Sequence, residues 1–265
     1  MPELPDVEGF RATLAREAVG RRVRDVAVHD ASVLLDTSGR AFRGAVRGRR
    51  FAEPRRHGKW LLAPIEDART ANPPVVVFHF GMTGGLVWSA GSEERHRYDR
   101  VVFEFGGGEL RYRDMRKLKG LRLTTEDGVA DLLADLGPDA ANLSRPDLTD
   151  LLCGRHRQLK AALMDQEVVA GLGNLLADEV LWQACLHPRR HTDDLTDAEL
   201  RALHGRLRST VRSASKVGRV PDRPSWLTGS RDHERGTCPR CGTRLTHGRA
   251  GGRTTVWCPR CQPSP

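Results

Sequence analysis

Apolar positions near the start of the chain recur with the period of an α-helix. Val7, Phe10, Leu14 and Ala18 fall on one face of the segment 5–18. A proline suits the first turn of a helix, because the N–H group that it lacks would have no partner there. The pattern therefore predicts an amphipathic helix over residues 5–18.

The residues that follow, as far as position 125, are predicted to be rich in sheet. Short apolar runs with many β-branched and aromatic residues alternate with turn residues, which is typical of strands. The predicted strands are 23–28, 42–46, 60–63, 75–80, 100–105, 109–113 and 120–123, with a hairpin turn at 106–108.

The pattern changes to helical periodicity near residue 126. The predicted helices are 127–136, 145–153, 159–164, 174–184 and 196–214, and Gly or Pro residues separate them. From residue 217 the chain becomes irregular and rich in Pro, Gly and Arg. We therefore predict a multidomain α+β protein with three domains, 1–125, 126–230 and 231–265.

Four cysteines near the C-terminus have the spacing of a metal site. Cys238 and Cys241 form one CxxC pair, Cys258 and Cys261 form the second, and sixteen residues separate the pairs. Four thiolates make the closed tetrahedral site of structural zinc, in which no position stays open for a catalytic water. The sequence therefore predicts one structural Zn²⁺ ion and a hairpin between the two pairs.

Basic residues are concentrated in two separated segments. The formal net charge is +9 and the pI is near 9.8. Residues 40–59 and residues 216–265 each carry +7, so the rest of the chain is net −5. This distribution favours a polyanionic partner, and DNA or RNA are the first candidates.

We expect neither a membrane span nor a secretory signal from this sequence. No apolar run approaches the roughly 18 residues that a span requires, and the N-terminus is acidic. We expect a cytoplasmic, nucleoid-associated protein without membrane contact. In a reducing compartment, the cysteine pairs indicate metal binding and not disulfides.

A glycine-rich turn, Gly171-Leu172-Gly173-Asn174, lies between two predicted helices. Asn174 is a good N-cap residue, and the amides at a helix start can bind phosphate. Lys160 adds a cation on the same face if the two helices pack as a hairpin. An ordinary structural turn is the favoured explanation of this motif taken alone.

The first residues combine a nucleophile with a carboxyl group. Removal of the initiator methionine would leave a secondary amine on Pro2, and an α-amine with a pKa of about 7.7 to 8.0 is partly unprotonated at neutral pH. Glu3 supplies the carboxyl group that proton transfers during imine formation require. Alternatively, Glu3, Asp6 and Glu8 only complement the dipole of the first helix.

Five segments, in the same order, resemble the formamidopyrimidine-DNA glycosylase and endonuclease VIII family. They are PELPDVE (2–8), HGKWL (57–61), HFGMTG (79–84), the run 159–179 with GLGN and ADE, and the four-cysteine finger with Arg253. The resemblance implies an N-terminal β-sandwich with an appended helix, a helical domain with a helix-two-turns-helix motif, and a C-terminal zinc finger. It also implies that damaged double-stranded DNA binds in the cleft between the two halves.

The same resemblance implies a bifunctional DNA glycosylase and abasic-site lyase of base excision repair. Pro2 would attack C1′ of the damaged nucleotide, Glu3 would protonate the sugar, and Lys59 would contact DNA beside the lesion. The other residues expected at the DNA are His79, Met82, Arg116, Lys160, Asn174 and Arg253. Among these, Asn174 and Arg253 would clamp phosphates and Met82 would fill the vacated stack. The family also suggests a monomer.

Three departures from the family pattern leave parts of this picture open. Asp6 stands where the best-known members have Glu, and Leu118 stands where they have an aromatic wedge. The segment 217–237 is shorter than the loop that caps flipped 8-oxoguanine. The preferred lesion and the opposite base therefore stay open between oxidised purines, oxidised pyrimidines and other damage.

Two other functions compete with this interpretation. A non-catalytic or lyase-only protein that recognises distorted DNA would explain the altered wedge, but it has no need for Pro2, Glu3 and Lys59 together. An RNA-binding zinc ribbon would explain the charge and the cysteines, but it leaves the N-terminus unexplained.

Overall fold

The computed structural model describes residues 1–68, 70–91, 93–154 and 156–264. It divides into two compact units, which are described separately below. The first comprises Met1–Pro2 and Asp6–Asp135, and the second comprises Glu3–Pro5 and Leu136–Pro265. In the described ranges, no helix is both long and apolar enough to cross a membrane.

The first unit consists mainly of strands. Its elements are α1 (Leu4–Glu17), β1 (Asp25–Val28), a 3₁₀ turn (Ala31–Val33), β2 (Leu34–Leu35), α2 (Gly39–Val46), β3 (Arg50–Phe51), β4 (Arg55–His57), β5 (Trp60–Glu66), β6 (Val75–His79), β7 (Gly85–Ser89), β8 (Asp99–Phe105), β9 (Gly108–Arg113), β10 (Leu121–Thr124) and α3 (Glu126–Leu133). The first two residues of α1 belong to the second unit. The predicted N-terminal helix is confirmed, with each end one residue earlier.

The strands form two mostly antiparallel sheets. One sheet has the order β1-β8-β9-β7, and the other has the order β2-β10-β6-β5-β3, with β4 also paired to β5. The predicted hairpin is confirmed, since β8 and β9 pair across Gly106 and Gly107. Gly107 has φ +101°, a conformation that glycine adopts without the steric cost of a side chain.

A single apolar cluster joins the inward faces of both sheets to α1. Phe78 of β6 is fully buried in it, and its ring lies 6.1 Å from that of Phe103 on β8 and 6.2 Å from that of Tyr112 on β9. Val7 and Leu14 of α1 belong to the same cluster. Alternating inward side chains of two facing sheets therefore make the core of a β-sandwich.

The predicted strand 42–46 is wrong, because these residues lie in helix α2. Phe42 and Val46 are both buried, and a spacing of four places them on one face of a helix. Ser38 caps the helix with its hydroxyl group, which accepts a hydrogen bond of 3.2 Å from the amide of Ala41. A short apolar run with this spacing is compatible with a strand or a helix, and the N-cap at Ser38 favours the helix.

The second unit is helical and ends in a small hairpin. Its elements are α4 (Arg145–Leu152), α5 (Leu159–Met164), α6 (Asn174–Ala184), a 3₁₀ turn (Thr192–Asp194), α7 (Asp197–Ser215), a 3₁₀ turn (Leu227–Gly229), β11 (Thr246–Ala250) and β12 (Arg253–Trp257). The predicted helices are confirmed to within three residues at each end. A capping box between Thr196 and Glu199 starts α7.

The predicted division into three domains stays a prediction. The two compact units separate at Asp135 and Leu136, and the cysteine segment belongs to the second unit. Helix α3 packs through Val129 on Val75 and Val77 of the first unit, although 126–230 was predicted to be a helical domain.

Helix α6 is joined to the Leu227–Gly229 turn by the buried side chain of Glu179. Its carboxylate accepts hydrogen bonds from the amide of Thr228 at 3.1 Å and from the side chain of Gln183 at 2.8 Å. Burial, the largest influence, raises the pKa of Glu179 to about 7. Between about pH 4.5 and pH 7 the folded chain therefore holds a proton that the unfolded chain releases.

The raised pKa predicts a stability loss between pH 5 and pH 8. The contribution of protonated Glu179 is complete below the pKa of the unfolded chain, near 4.5, and is lost as the pH rises through about 7. Glu179→Gln should remove this dependence, which amounts to about 3 kcal/mol at most. Urea unfolding at both pH values measures it. The exposed Glu234→Gln is the control, and parallel pH profiles for wild type and Glu179→Gln would contradict the assignment.

Candidate functional site

The side chain of Glu3 is held at the N-terminus of helix α6. Its carboxylate is buried and accepts hydrogen bonds from the amides of Gly173 at 2.9 Å, Leu175 at 2.8 Å and Leu176 at 3.1 Å. These amides belong to the group that a helix start leaves without partners, and the helix dipole adds further attraction for a negative charge. A residue 170 positions away thus acts as the cap of α6.

Two glycines allow this close approach. A Cβ atom on Gly173 would overlap the carboxyl group of Glu3, and a Cβ atom on Gly171 would lie 2.6 Å from Cδ1 of Leu4. Gly171 also has φ +112°, and its carbonyl oxygen accepts a hydrogen bond of 3.0 Å from the amide of Leu4. The Gly-Leu-Gly sequence therefore makes room for the N-terminal segment.

This arrangement corrects the predicted cap of the turn 171–174. The cap position is Gly173 and not Asn174, which is the first residue of the helix. The amides at the helix start, for which an ordinary structural turn was favoured over a phosphate site, donate to Glu3. The side-chain oxygen of Asn174 is buried and has no hydrogen-bond partner among the residues that the structure describes.

Pro2 precedes this anchored carboxylate by one peptide bond and is half-buried. Because Glu3 is fixed by three hydrogen bonds, the position of the residue before it is restricted as well. The predicted nucleophile Pro2 is therefore directly bonded to a residue whose side chain, the predicted acid, has a fixed position.

Lys59 and His79 lie near one another in the first unit. Lys59 follows Gly58 in the two-residue turn between β4 and β5, and His79 pairs with Trp60 across β5 and β6. Burial, the largest influence, and the charges of Lys119 and Lys59 together lower the pKa of His79 to about 4. His79 is therefore neutral at pH 7, and its Nδ1 atom accepts a hydrogen bond of 3.1 Å from the amide of Gly81.

Met82 and Arg116 are in direct contact, although 34 positions separate them. A guanidinium nitrogen of Arg116 donates to the sulfur of Met82 at 3.1 Å. Asp114 fixes both loops, because its Oδ1 atom accepts hydrogen bonds from the hydroxyl group of Thr83 at 2.6 Å and from the amide of Arg116 at 3.0 Å. The two predicted DNA contacts thus form one surface.

That surface is apolar as well as basic. Met82, Met115 and Leu118 expose 42%, 48% and 51% of their surface, although large apolar side chains are normally buried. A Cβ atom added to Gly81 would lie 3.6 Å from Cβ of Leu118, so Leu118 lies beside the loop that carries Met82. Side chains of this kind can enter a base stack.

Lys160 does not present a cation to solvent, so its prediction as a DNA contact is wrong. Its side chain is fully buried and forms an ion pair of 2.6 Å with Asp178, which also pairs with Arg231 at 2.9 Å. The ammonium group donates to the carbonyl oxygen of Thr254 at 3.1 Å and to the hydroxyl group of Thr255 at 2.8 Å. Lys160 therefore positions strand β12.

Arg253 is exposed at the start of that strand. The turn before it consists of Gly251 and Gly252, both with positive φ. The amide of Gly251 donates to the side chain of Gln158 at 3.1 Å, next to α5. The contacts of Gln158 and Lys160 on both sides of Arg253 fix the backbone that carries its guanidinium group.

The four cysteines predicted to bind zinc converge. Their sulfur atoms lie within 4.8 Å of one another, and the pairs Cys241–Cys258 and Cys238–Cys261 are 3.5 Å and 3.8 Å apart. A tetrahedral zinc site with Zn–S bonds of about 2.3 Å requires sulfur separations of about 3.8 Å, so the cluster fits. Trp182 donates to the sulfur of Cys238 at 3.3 Å and orients it.

Sequence reasoning missed Lys119, the second cation beside His79. The two residues are brought together by the pairing of β6 with β10, in which the amide of His79 donates to the carbonyl oxygen of Gly120 at 2.9 Å. No signal in the sequence identifies that pairing. It also missed the role of Asp114, since the contact that unites Met82 and Arg116 depends on loop conformation.

Three family models match successive parts of the chain. They are the formamidopyrimidine-DNA glycosylase N-terminal domain over residues 1–121, the formamidopyrimidine-DNA glycosylase H2TH domain over residues 136–221, and a zinc finger found in FPG and IleRS over residues 236–263. They confirm the predicted fold class, and with the sulfur geometry they confirm the structural zinc site.

Named relatives and solved structures match the chain over almost its full length. The formamidopyrimidine-DNA glycosylase of Symbiobacterium thermophilum is 36% identical over 100% of this chain and 90% of its own, and that of Streptomyces avermitilis is 35% identical over 100% and 99%. A complex between Lactococcus lactis Fpg and DNA that contains an abasic site has a TM-score of 0.88, at 27% identity over 99% of this chain and 100% of that one.

We predict that Gly173→Ala destabilises the second unit. The added methyl group would displace the Glu3 carboxylate and leave amides at the start of α6 without partners, at a cost on the order of 1 to 3 kcal/mol. Urea unfolding measures the change. Gly205→Ala is a matched control, because this glycine is exposed in α7 and its added Cβ would meet nothing within 4 Å. The control should gain about 0.5 to 1 kcal/mol. Equal losses in both variants would refute the steric argument.

A second prediction concerns the zinc site. Cys258→Ser should release the ion and loosen the β11–β12 hairpin, which buries too little apolar surface to stay folded alone. Affinity for duplex DNA should fall by about tenfold or more, while thermal unfolding of the first unit stays unchanged. Cys153→Ser, at an exposed cysteine outside the cluster, is the control. Purified protein without bound zinc would contradict the prediction.

Proposed function

The chain belongs to the formamidopyrimidine-DNA glycosylase family and is a DNA glycosylase of base excision repair; we propose that it excises oxidised bases through a covalent intermediate on Pro2 and then cleaves the strand. The observation that carries this proposal is the anchoring of Glu3 by three amides at the start of α6, including that of its cap residue Gly173. It keeps a carboxyl group next to the proposed nucleophile.

The proposed reaction begins with the unprotonated secondary amine of Pro2. The amine attacks C1′ of the damaged nucleotide, and the base leaves with the electron pair of the glycosidic bond. The Glu3 carboxylate takes the proton that the attacking amine loses and passes it to the ring oxygen of the sugar, so the bond between C1′ and the ring oxygen breaks and an iminium forms between Pro2 and C1′.

Strand cleavage follows from the electron demand of that iminium. The positive nitrogen acidifies the C2′ proton, and loss of this proton expels the 3′ phosphate by β-elimination. A second elimination expels the 5′ phosphate, and water then hydrolyses the imine to regenerate the amine. The proposed role of Lys59 is to contact the DNA beside the lesion.

Residues of each unit have proposed roles in holding the DNA. In the first unit, Met82 and Arg116 would fill the space that the flipped nucleotide leaves, and His79 would act as a neutral hydrogen-bonding group near the lesion. In the second unit, Asn174 and Arg253 would bind the phosphates. Extrusion of a nucleotide costs a few kcal/mol, which contacts of this kind offset.

The proposed partner is double-stranded DNA that contains an oxidised base or an abasic site, and we propose that the protein acts on it as a monomer associated with the nucleoid. Lactococcus lactis Fpg is described in complexes with abasic-site DNA and with DNA that contains an oxidised pyrimidine. A panel of 8-oxoguanine, formamidopyrimidine, thymine glycol, dihydrouracil and abasic duplexes would identify the preferred lesion.

Borohydride trapping tests the nucleophile. Wild-type protein should form a covalent adduct with abasic DNA, because borohydride reduces the iminium to a stable amine. Pro2→Gly should trap at least about tenfold less, since a primary amine in a looser backbone replaces the fixed pyrrolidine. The control is Val87→Ala, which shortens an exposed side chain on β7.

Two outcomes would overturn the proposal. The first is the absence of an adduct with wild-type protein that still binds damaged duplexes, which would favour the non-catalytic alternative. The second is an undiminished adduct with Pro2→Gly, which would assign the nucleophile to another amine.

A further inference from the structure

Three potential metal ligands meet in the second unit, apart from the cysteine cluster. One ligand atom from each of His156, His191 and Asp193 lies within 4.8 Å of the others. The two imidazole rings stack with their centroids 4.0 Å apart and their planes 20° apart. Nδ1 of His156 lies 2.8 Å from a carboxylate oxygen of Asp193.

The backbone on both sides of this cluster is fixed by a short antiparallel bridge. Gln158 pairs with His191. The amide of Thr192 donates to the carbonyl oxygen of Arg157 at 3.0 Å, and the amide of Leu159 donates to that of Arg190 at 2.8 Å. The ligands therefore project from paired segments, and their proximity does not depend on chance contact between mobile side chains.

One ring nitrogen in the cluster has an unsatisfied hydrogen-bonding capacity. Nδ1 of His191 is buried and has no hydrogen-bond partner in the part of the chain that the structure describes. A buried polar atom without a partner is destabilising, so such atoms normally mark a bound water or ion. A metal ion would satisfy a deprotonated nitrogen.

The charges around the cluster also favour a cation. Asp193 and Asp194 are acidic groups beside His156. The neighbouring Arg157 is paired with Asp165 at 2.8 Å, and Arg190 is paired with Glu199 at 2.9 Å. Because these two arginines have carboxylate partners, their repulsion of a bound cation is reduced.

We propose that His156, His191 and Asp193 form a second metal site, which binds a divalent transition-metal ion, zinc in the first instance. Two imidazoles and one carboxylate suit zinc, nickel or copper and not magnesium or calcium, which prefer oxygen ligands. His156 is exposed, so water completes the coordination. The ion would join the segment before α5 to the segment before α7 and stabilise the second unit.

Zinc titration of the full chain with its cysteine site loaded tests this proposal. Calorimetry at pH 7.5 should detect one further equivalent, and its binding should raise the melting temperature as the zinc concentration rises. Copper(II) as a probe should give an electron paramagnetic resonance spectrum with nitrogen coupling.

Two variants and one control decide the assignment. His156→Gln and His191→Gln should each weaken the second equivalent by about tenfold or more while the cysteine-bound zinc is retained. His233→Gln removes an exposed histidine outside any metal cluster of the described residues and should change nothing. A total of one zinc per chain in wild type, or a second equivalent that both variants retain, would overturn the proposal.

Discussion

The interaction on which the rest of the structure depends is the burial of the Glu3 carboxylate at the start of α6. A buried carboxylate is tolerated only where hydrogen bonds replace its water, and the orphan amides of a helix start provide them. This requirement explains why glycine occupies positions 171 and 173, where a side chain would strike Leu4 or Glu3. The N-terminal segment is therefore fixed by the helix of a distant part of the chain.

A second buried charge group extends this constraint to the zinc hairpin. Lys160, Asp178 and Arg231 have almost no solvent exposure, and Asp178 lies on the same helix that Glu3 caps. Loss of one partner leaves the other charge buried and unpaired, which costs far more free energy than the ion pair itself contributes. Helices α5 and α6 and the backbone around Arg231 must therefore fold together. Since Lys160 also bonds to Thr254 and Thr255, the position of Arg253 depends on the same group.

Local signals predicted most helices, the β8–β9 hairpin and the cysteine cluster, because caps, glycine turns and CxxC spacing act over a few residues. Residues 42–46 were predicted as a strand, since five residues carry too little periodicity to distinguish a strand from a helix. The sequence named Glu3 as a candidate acid and Asn174 as a candidate cap, but not that the amides at the start of α6 hold Glu3. Lys160 was placed on the surface because its partner Asp178 lies eighteen residues away. Such pairings are decided by tertiary packing.

The two basic segments show why a charge count alone overstates the surface available to DNA. In residues 40–59, Arg49 pairs with Asp67, which is 8% exposed, and the side chain of Arg56 is 8% exposed beside Glu8. These arginines are structural. Arg43 remains 47% exposed beside Asp25, and exposed pairs contribute little stability, so phosphate can replace the carboxylate at low cost. The positive charge available to DNA therefore depends on how exposed each ion pair is, and a count of basic residues in the sequence does not give that exposure.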